Sequence, residues 1–214
     1  MVLIGPEALD GEAMPRLTGD ALQLYVAAYG QERYDLYTDQ PEAHTCHGGR
    51  PPTYRRSEID ETALPAFVHR AEHDVESVYW TMVYALLRAQ PAAAPREDYA
   101  PTPSALVWEI LLSHRIPSEG YFRKAERRGS ILHGAKSEWL ELFSPVMHGV
   151  ATLLWQISQH ICPEYALWEG DLEPDHLHEA VQRLILQYLV EHQDDPIELD
   201  PGHLRPTHRR PANK

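Results

Sequence analysis

One helical period constrains this chain more than any other feature. Val75, Val78, Tyr79, Met82, Val83, Leu86 and Leu87 recur at the three- and four-residue spacing of a single helical face. Trp80, Tyr84 and Ala85 occupy the opposite side, so the helix is apolar nearly all round. Such a helix belongs inside a domain, because no side of it gains from contact with water. Asp74 stands where a carboxylate can accept hydrogen bonds from the free N–H groups of a first helical turn. The spacing therefore predicts a central buried helix over about 74–88, with Asp74 at its N-terminus, in a mainly α fold.

Further helices surround it. Ser104 is placed to cap a segment holding Leu106, Ile110 and Leu111. A short charged helix is expected over 118–127, and a short piece from Ser137 through Trp139, Leu140 and Phe143. Ser144-Pro145 is a strong start signal, a capping serine followed by proline at the first helical position. The helix after it would bury Val146, Val150, Leu153, Leu154, Ile157 and Ile161, and Pro163 would end it. The last helix runs from about Asp175 to His192, with Leu177, Val181, Leu184, Ile185, Tyr188 and Leu189 on one face. Proline and glycine mark loops at 40–57 and 90–103. Little strand is expected beyond Val2-Leu3-Ile4. One domain thus spans 1–193, and the proline-rich, locally basic stretch 194–214, with Arg205, Arg209, Arg210 and Lys214, reads as a disordered tail.

Composition narrows the function classes. Lys plus Arg number 19 against 32 Asp plus Glu, a net charge of −13 with histidine neutral. That balance argues against nucleic acid or an anionic membrane surface as a partner, since both need clustered positive charge. No basic n-region precedes the apolar residues after Met1, and no apolar run approaches the roughly 18 residues of a membrane span. Two cysteines, Cys46 and Cys162, make a disulfide framework unneeded and fit a reducing compartment. The expectation is an intracellular protein, cytoplasmic or nuclear.

The segment His73-Asp74-Val75-Glu76-Ser77-Val78-Tyr79-Trp80, running into an apolar helix, resembles the central helix of the large, C-terminal lobe in the fungal-type protein kinase family. There a His-Asp-Leu-Glu-Ser pattern followed by aromatics opens that helix. The resemblance gives Asp74, with Ser77, a structural role at the helix N-terminus. Thr18-Gly19 with Gln23-Leu24-Tyr25-Val26-Ala27 is similar to the family's segment that closes the activation region, although its glutamate aligns with Ala28. Val2-Leu3-Ile4 falls where a strand leads into the metal-binding Asp, and Gly5-Pro6-Glu7 follows instead. The resemblance implies a kinase-like large lobe whose partner is a protein or the missing small lobe, with self-association through uncovered apolar surface.

The same family uses ATP and Mg, and its chemistry needs a Gly-rich loop, a strand lysine, a catalytic-loop Asp and Asn, and a metal-binding Asp. This chain has three lysines, Lys124, Lys136 and Lys214, and none stands in a Val-Ala-Ile-Lys context. Its one asparagine is Asn213, no Gly-x-Gly-x-x-Gly is present, and His69-Arg70-Ala71 carries Ala71 where a catalytic Asp would stand. No catalytic residue and no cofactor are expected in a pseudokinase of this kind.

Two other patterns compete. His44, Cys46 and His47 crowd a glycine-rich stretch and, with His69 or His73, could complete a tetrahedral zinc site, making the alternative a helical zinc-binding module. His69-Arg70-Ala71-Glu72-His73 also fits a zinc-peptidase pattern, which requires helix through both histidines. Cys162 beside Pro163 reads as a small buried hydrophobe, since His160 two positions earlier would point away on a helix.

Overall fold

A computed structural model describes residues 14–38, 71–112, 131, 134–161, 173 and 175–208, and they are mainly helical. In chain order the helices are α1 (Gly19–Tyr29), α2 (Gln31–Thr38), α3 (Ala71–Arg88), α4 (Thr102–Leu112), α5 (Lys136–Glu141), α6 (His148–Ile161) and α7 (His176–Glu191). A 3-10 turn at Pro145–Met147 leads into α6, and two short strands, β1 (Ala89–Pro91) and β2 (Leu199–Leu204), pair antiparallel. No described helix is long and apolar enough to cross a membrane.

Two apolar clusters meet along α7. The larger joins α3, α4, α5, α6 and one side of α7 through residues such as Val83, Trp108, Trp139, Leu154, Ile157 and Leu177. The smaller joins α1 and α2 to the other side, with Leu17, Ala21, Tyr25 and Tyr34 against Leu186 and Val190. A buried Leu or Ile contributes about 1.5–3 kcal/mol, so the run Leu153, Leu154 and Ile157 makes α6 a main source of cohesion. Close approach helps: a Cβ at Gly149 would lie 3.2 Å from the Tyr188 hydroxyl, so a larger residue there would push that ring back by a few tenths of an ångström. Gly30 turns the chain between α1 and α2 at φ 88° and ψ 154°, a conformation open to glycine alone.

The expected central helix is displaced from the centre. α3 buries Val75, Tyr79, Val83 and Leu87, one turn apart, while Val78 is 55% exposed and Tyr84 47% exposed. The physical reason lies on the outer meridian, where Ser77 and Thr81 stand between the apolar pair. Each hydroxyl donates to the carbonyl four residues back, Ser77 to His73 and Thr81 to Ser77, which suits a wetted face. The helix is amphipathic, and α6 with α7 takes the interior.

Other boundaries move for identifiable reasons. α3 is already helical at Ala71, upstream of Asp74, so Asp74 lies inside the helix. Ser104 lies inside α4 and donates to the Leu142 carbonyl at 3.0 Å instead of capping. Ser144-Pro145 does start a helical segment, though as a 3-10 turn that exposes Val146 and buries Met147. In α7 Leu189 faces out, while polar Glu179 and Arg183 are buried. The expected 118–127 helix, the 40–57 loop and the Val2-Leu3-Ile4 strand lie outside the described residues, as does Cys162.

Residues 89–91 and 199–204 overturn two expectations, an unbroken loop over 90–103 and a disordered tail from Asp194. β1 and β2 pair Ala89 with Leu204 and Pro91 with Leu199, and the register shifts between them. Pro91 and Pro201 lack an N–H, so a regular ladder is closed to them. Arg205 then anchors the strap: it is buried, its Nη1 donates to the Leu142 carbonyl at 3.0 Å, and its fork grips both oxygens of Glu97 at 3.2 Å. Composition marked this arginine as solvated; here its charge is matched and its donors are used. Arg205→Ala should therefore destabilise the fold by about 1.5–3 kcal/mol in urea titration, the range for hydrogen bonds to charged groups. An unchanged midpoint would restore the disordered-tail reading.

Candidate functional site

Asp74 and Ser77, the pair the resemblance sets at a helix N-terminus, both lie within α3 and both are exposed. Neither caps it. Of the five residues of the zinc alternative, only His73 belongs to the described residues, where it is helical and half-buried. Among the described residues no group of three or more His, Cys, Asp or Glu side chains could hold a metal ion. His44, Cys46, His47 and His69 lie outside them.

The most concentrated polar chemistry sits where α7 meets α1 and α2. Glu179 and Arg183 are both fully buried, and one helical turn apart the Arg183 Nε donates to Glu179 Oε1 at 2.8 Å. The same oxygen accepts the Tyr25 hydroxyl of α1, and Oε2 accepts Arg33 Nη2 of α2 at 3.2 Å. Arg183 spends its remaining donors on backbone and hydroxyl: Nη1 to Thr38 Oγ1 at 2.7 Å and Pro15 O at 3.3 Å, Nη2 to Tyr34 O at 2.9 Å. Its guanidinium lies 4.2 Å from the centroid of the Tyr34 ring, and Arg33 covers Tyr37 at 5.2 Å. Thr18 adds an outer tie, its N–H donating to Gln187 Oε1 at 2.9 Å.

The chemistry available to this cluster follows from its partners. Two guanidinium groups and a phenol donate to the Glu179 oxygens. Burial first, and then the bond to Glu179, push the Tyr25 hydroxyl above its usual range, keeping it a donor. These bonds hold α7 to the N-terminal hairpin, and the buried Arg33 Nε is left without a hydrogen-bond partner. The arrangement is a clamp. The i, i+4 spacing of Glu179 and Arg183 is visible in the sequence and is the signal that could have found it. On a helix read for apolar spacing alone, it passes as an ordinary surface ion pair.

Two further features bear on chemistry. His160 in the last turn of α6 and His176 in the first turn of α7 are 3% and 6% exposed. Burial and then the neighbouring His176 lower His160 to about 4, and burial and then Arg183 lower His176, against a smaller opposing pull from Glu179. The described groove between β1 and β2, lined by Gln90, Ala94, Arg96, Glu198 and Asp200, is open and polar. Its rim is already tied by Arg96 to Asp200 at 2.8 Å.

With this geometry established, comparison with known proteins adds nothing to it: no family model, no curated protein and no solved structure matches the chain.

Removing one partner of a buried ion pair leaves an uncompensated charge, so Arg183→Met should lose about 3–5 kcal/mol in chemical unfolding. The double change Glu179→Leu with Arg183→Met should lose less than the sum of the two single changes. Strict additivity would show that the pair does not act as a unit. The histidines give a pH dependence of defined sign. A histidine whose folded pKa lies below its unfolded 6.5 leaves stability intact above that pH and removes it as pH falls. For His160 the loss should run from pH 6.5 to about 4, at roughly 1 kcal/mol per pH unit, and His160→Gln should flatten it. A stability profile level across that window would refute the assignment.

Proposed function

We propose that this chain is a non-catalytic relative of the large lobe of fungal-type protein kinases, acting through protein contacts. Kinship rests on the sequence of His73 to Trp80 and of the Thr18-Gly19 segment. Asp74 lies exposed within α3, whose inward row Val75, Tyr79, Val83 and Leu87 packs in the core while its outward face contributes surface to this reading. Inactivity rests on the residues: within these 214 there is one asparagine, Asn213, and Ala71 replaces the catalytic Asp. Lys136, one of the three lysines, has its ammonium 5.8 Å from the centroid of the Trp155 ring, where it covers an aromatic face. The observation that carries the contact role is the outward face of α3, where Val78 and Tyr84 remain uncovered.

Thermal unfolding with and without Mg-ATP tests the reading. A nucleotide present at a hundred times its Kd would stabilise the fold by about 2.7 kcal/mol, a shift of several degrees. The expected result is no shift. A Mg-dependent rise would overturn inactivity, and one zinc per chain by metal analysis would favour the module built from His44, Cys46, His47, His69 and His73.

A further inference from the structure

The strap that carries β2 is attached to the helical body as a bound peptide would be. Of the ten residues from Leu199 to His208, Arg205 alone is buried and six are exposed. Main chain supplies most of the remaining grip. The Arg205 N–H donates to the Arg88 carbonyl at 3.0 Å, and Arg88 Nη1 donates back to the Arg205 carbonyl. To either side, the Ala92 N–H reaches the Glu198 carbonyl and the Ala100 N–H reaches the His208 carbonyl, both at 2.9 Å. Backbone bonds of this kind are indifferent to sequence, so selectivity falls on the one side chain that enters a socket. The socket is the Leu142 carbonyl with the Glu97 carboxylate, and it engages all three guanidinium nitrogens of Arg205.

We infer that residues 199–208 are a tethered ligand, a latch that opens while the helices stay folded, and that the emptied groove takes an extended, arginine-bearing segment of a partner protein in the same way. Opening forfeits little apolar burial, since Leu199 and Leu204 are 47% and 62% exposed with the strap in place. It also strands no buried polar group in the socket. The Leu142 carbonyl keeps the Ser104 hydroxyl at 3.0 Å, and the Glu97 side chain, 29% exposed, is within reach of water. Charge favours a basic segment, because the chain carries −13 and the socket presents a carboxylate. Lysine is a poor substitute, having no planar fork to span Glu97 and Leu142 together.

The tether sets the terms of exchange. Residues 192–198 join α7 to β2, and so short a link holds the strap at an effective concentration in the millimolar range. A partner segment must outcompete that local concentration, so the strap admits tight or multivalent partners and turns away weak ones. This inference rests on the contacts of the strap and stands apart from kinase kinship.

Hydrogen exchange of the full chain tests the latch. The amides of Arg205 and Ala100 should exchange about tenfold or more faster than those of Leu154 and Ile157 in α6, and Glu97→Gln should widen the gap. Equal protection would mean that the strap leaves only when the whole fold does, and would overturn the latch. A labelled peptide of the strap sequence, Ile197 to His208, tests the socket by fluorescence anisotropy. Full-length Arg205→Ala, whose own strap cannot fill the socket, should bind it about tenfold or more tightly than the parent does. Peptides with alanine or lysine in place of the arginine should bind that variant about tenfold or more weakly. In the parent, millimolar peptide should speed exchange at the Arg205 amide and leave α6 as it was. Binding indifferent to the peptide's arginine, or an Arg205 amide whose exchange ignores the peptide, would overturn the docking role.

Discussion

A fully buried carboxylate organises the N-terminal third of this structure. A carboxylate left alone in the interior costs several kcal/mol. The Glu179 oxygens are instead met by donors from three helices: Arg183 from its own, Tyr25 from α1 and Arg33 from α2. The geometry tolerates little error. A hairpin shifted by one residue would withdraw the Tyr25 hydroxyl and the Arg33 fork together. Desolvation offsets most of the attraction, so the cluster selects an arrangement more than it stabilises one.

That selection explains the role of α7. Apolar residues on one side of it fuse with the large core, and Leu186 and Val190 on the other meet α1 and α2. The helix is a partition between two clusters, which is why most of its first half is buried, with His178 exposed. α3 packs on α6 and α7 from outside this partition and keeps one wall in water. Its placement leaves it a wetted apolar seam that a central rod would lack.

Much of this was legible in the residues. The mainly α character and the approximate extent of α6 and α7 follow from apolar spacing and from Pro145, whereas α1 and α2 were not read as helices. Centrality was not legible, because Val78 and Tyr84 are apolar by type while Ser77 and Thr81 between them decide which way the face turns. Nor was the clamp, since a Glu and an Arg four apart look the same on a surface as in a core until the hairpin that covers them is known. The strap was hidden by prolines. Pro91 and Pro201 argue against a ladder, and the pairing survives only as an irregular one tied down by Arg205. The zinc alternative gained nothing and lost nothing, since four of its five residues lie outside the described part of the chain.

The contacts of α7 also set an order of events during synthesis. Glu179 meets Tyr25 across 154 residues, and the Arg205 donors reach Leu142 across 63. The first hairpin leaves the ribosome long before the helix that shelters Tyr25, Tyr34 and Ala21 has been translated. Until then those aromatics have no permanent cover, and loop closure over so long a span is slow. In a nascent chain those side chains therefore stay exposed for a window set by the position of α7 in the message.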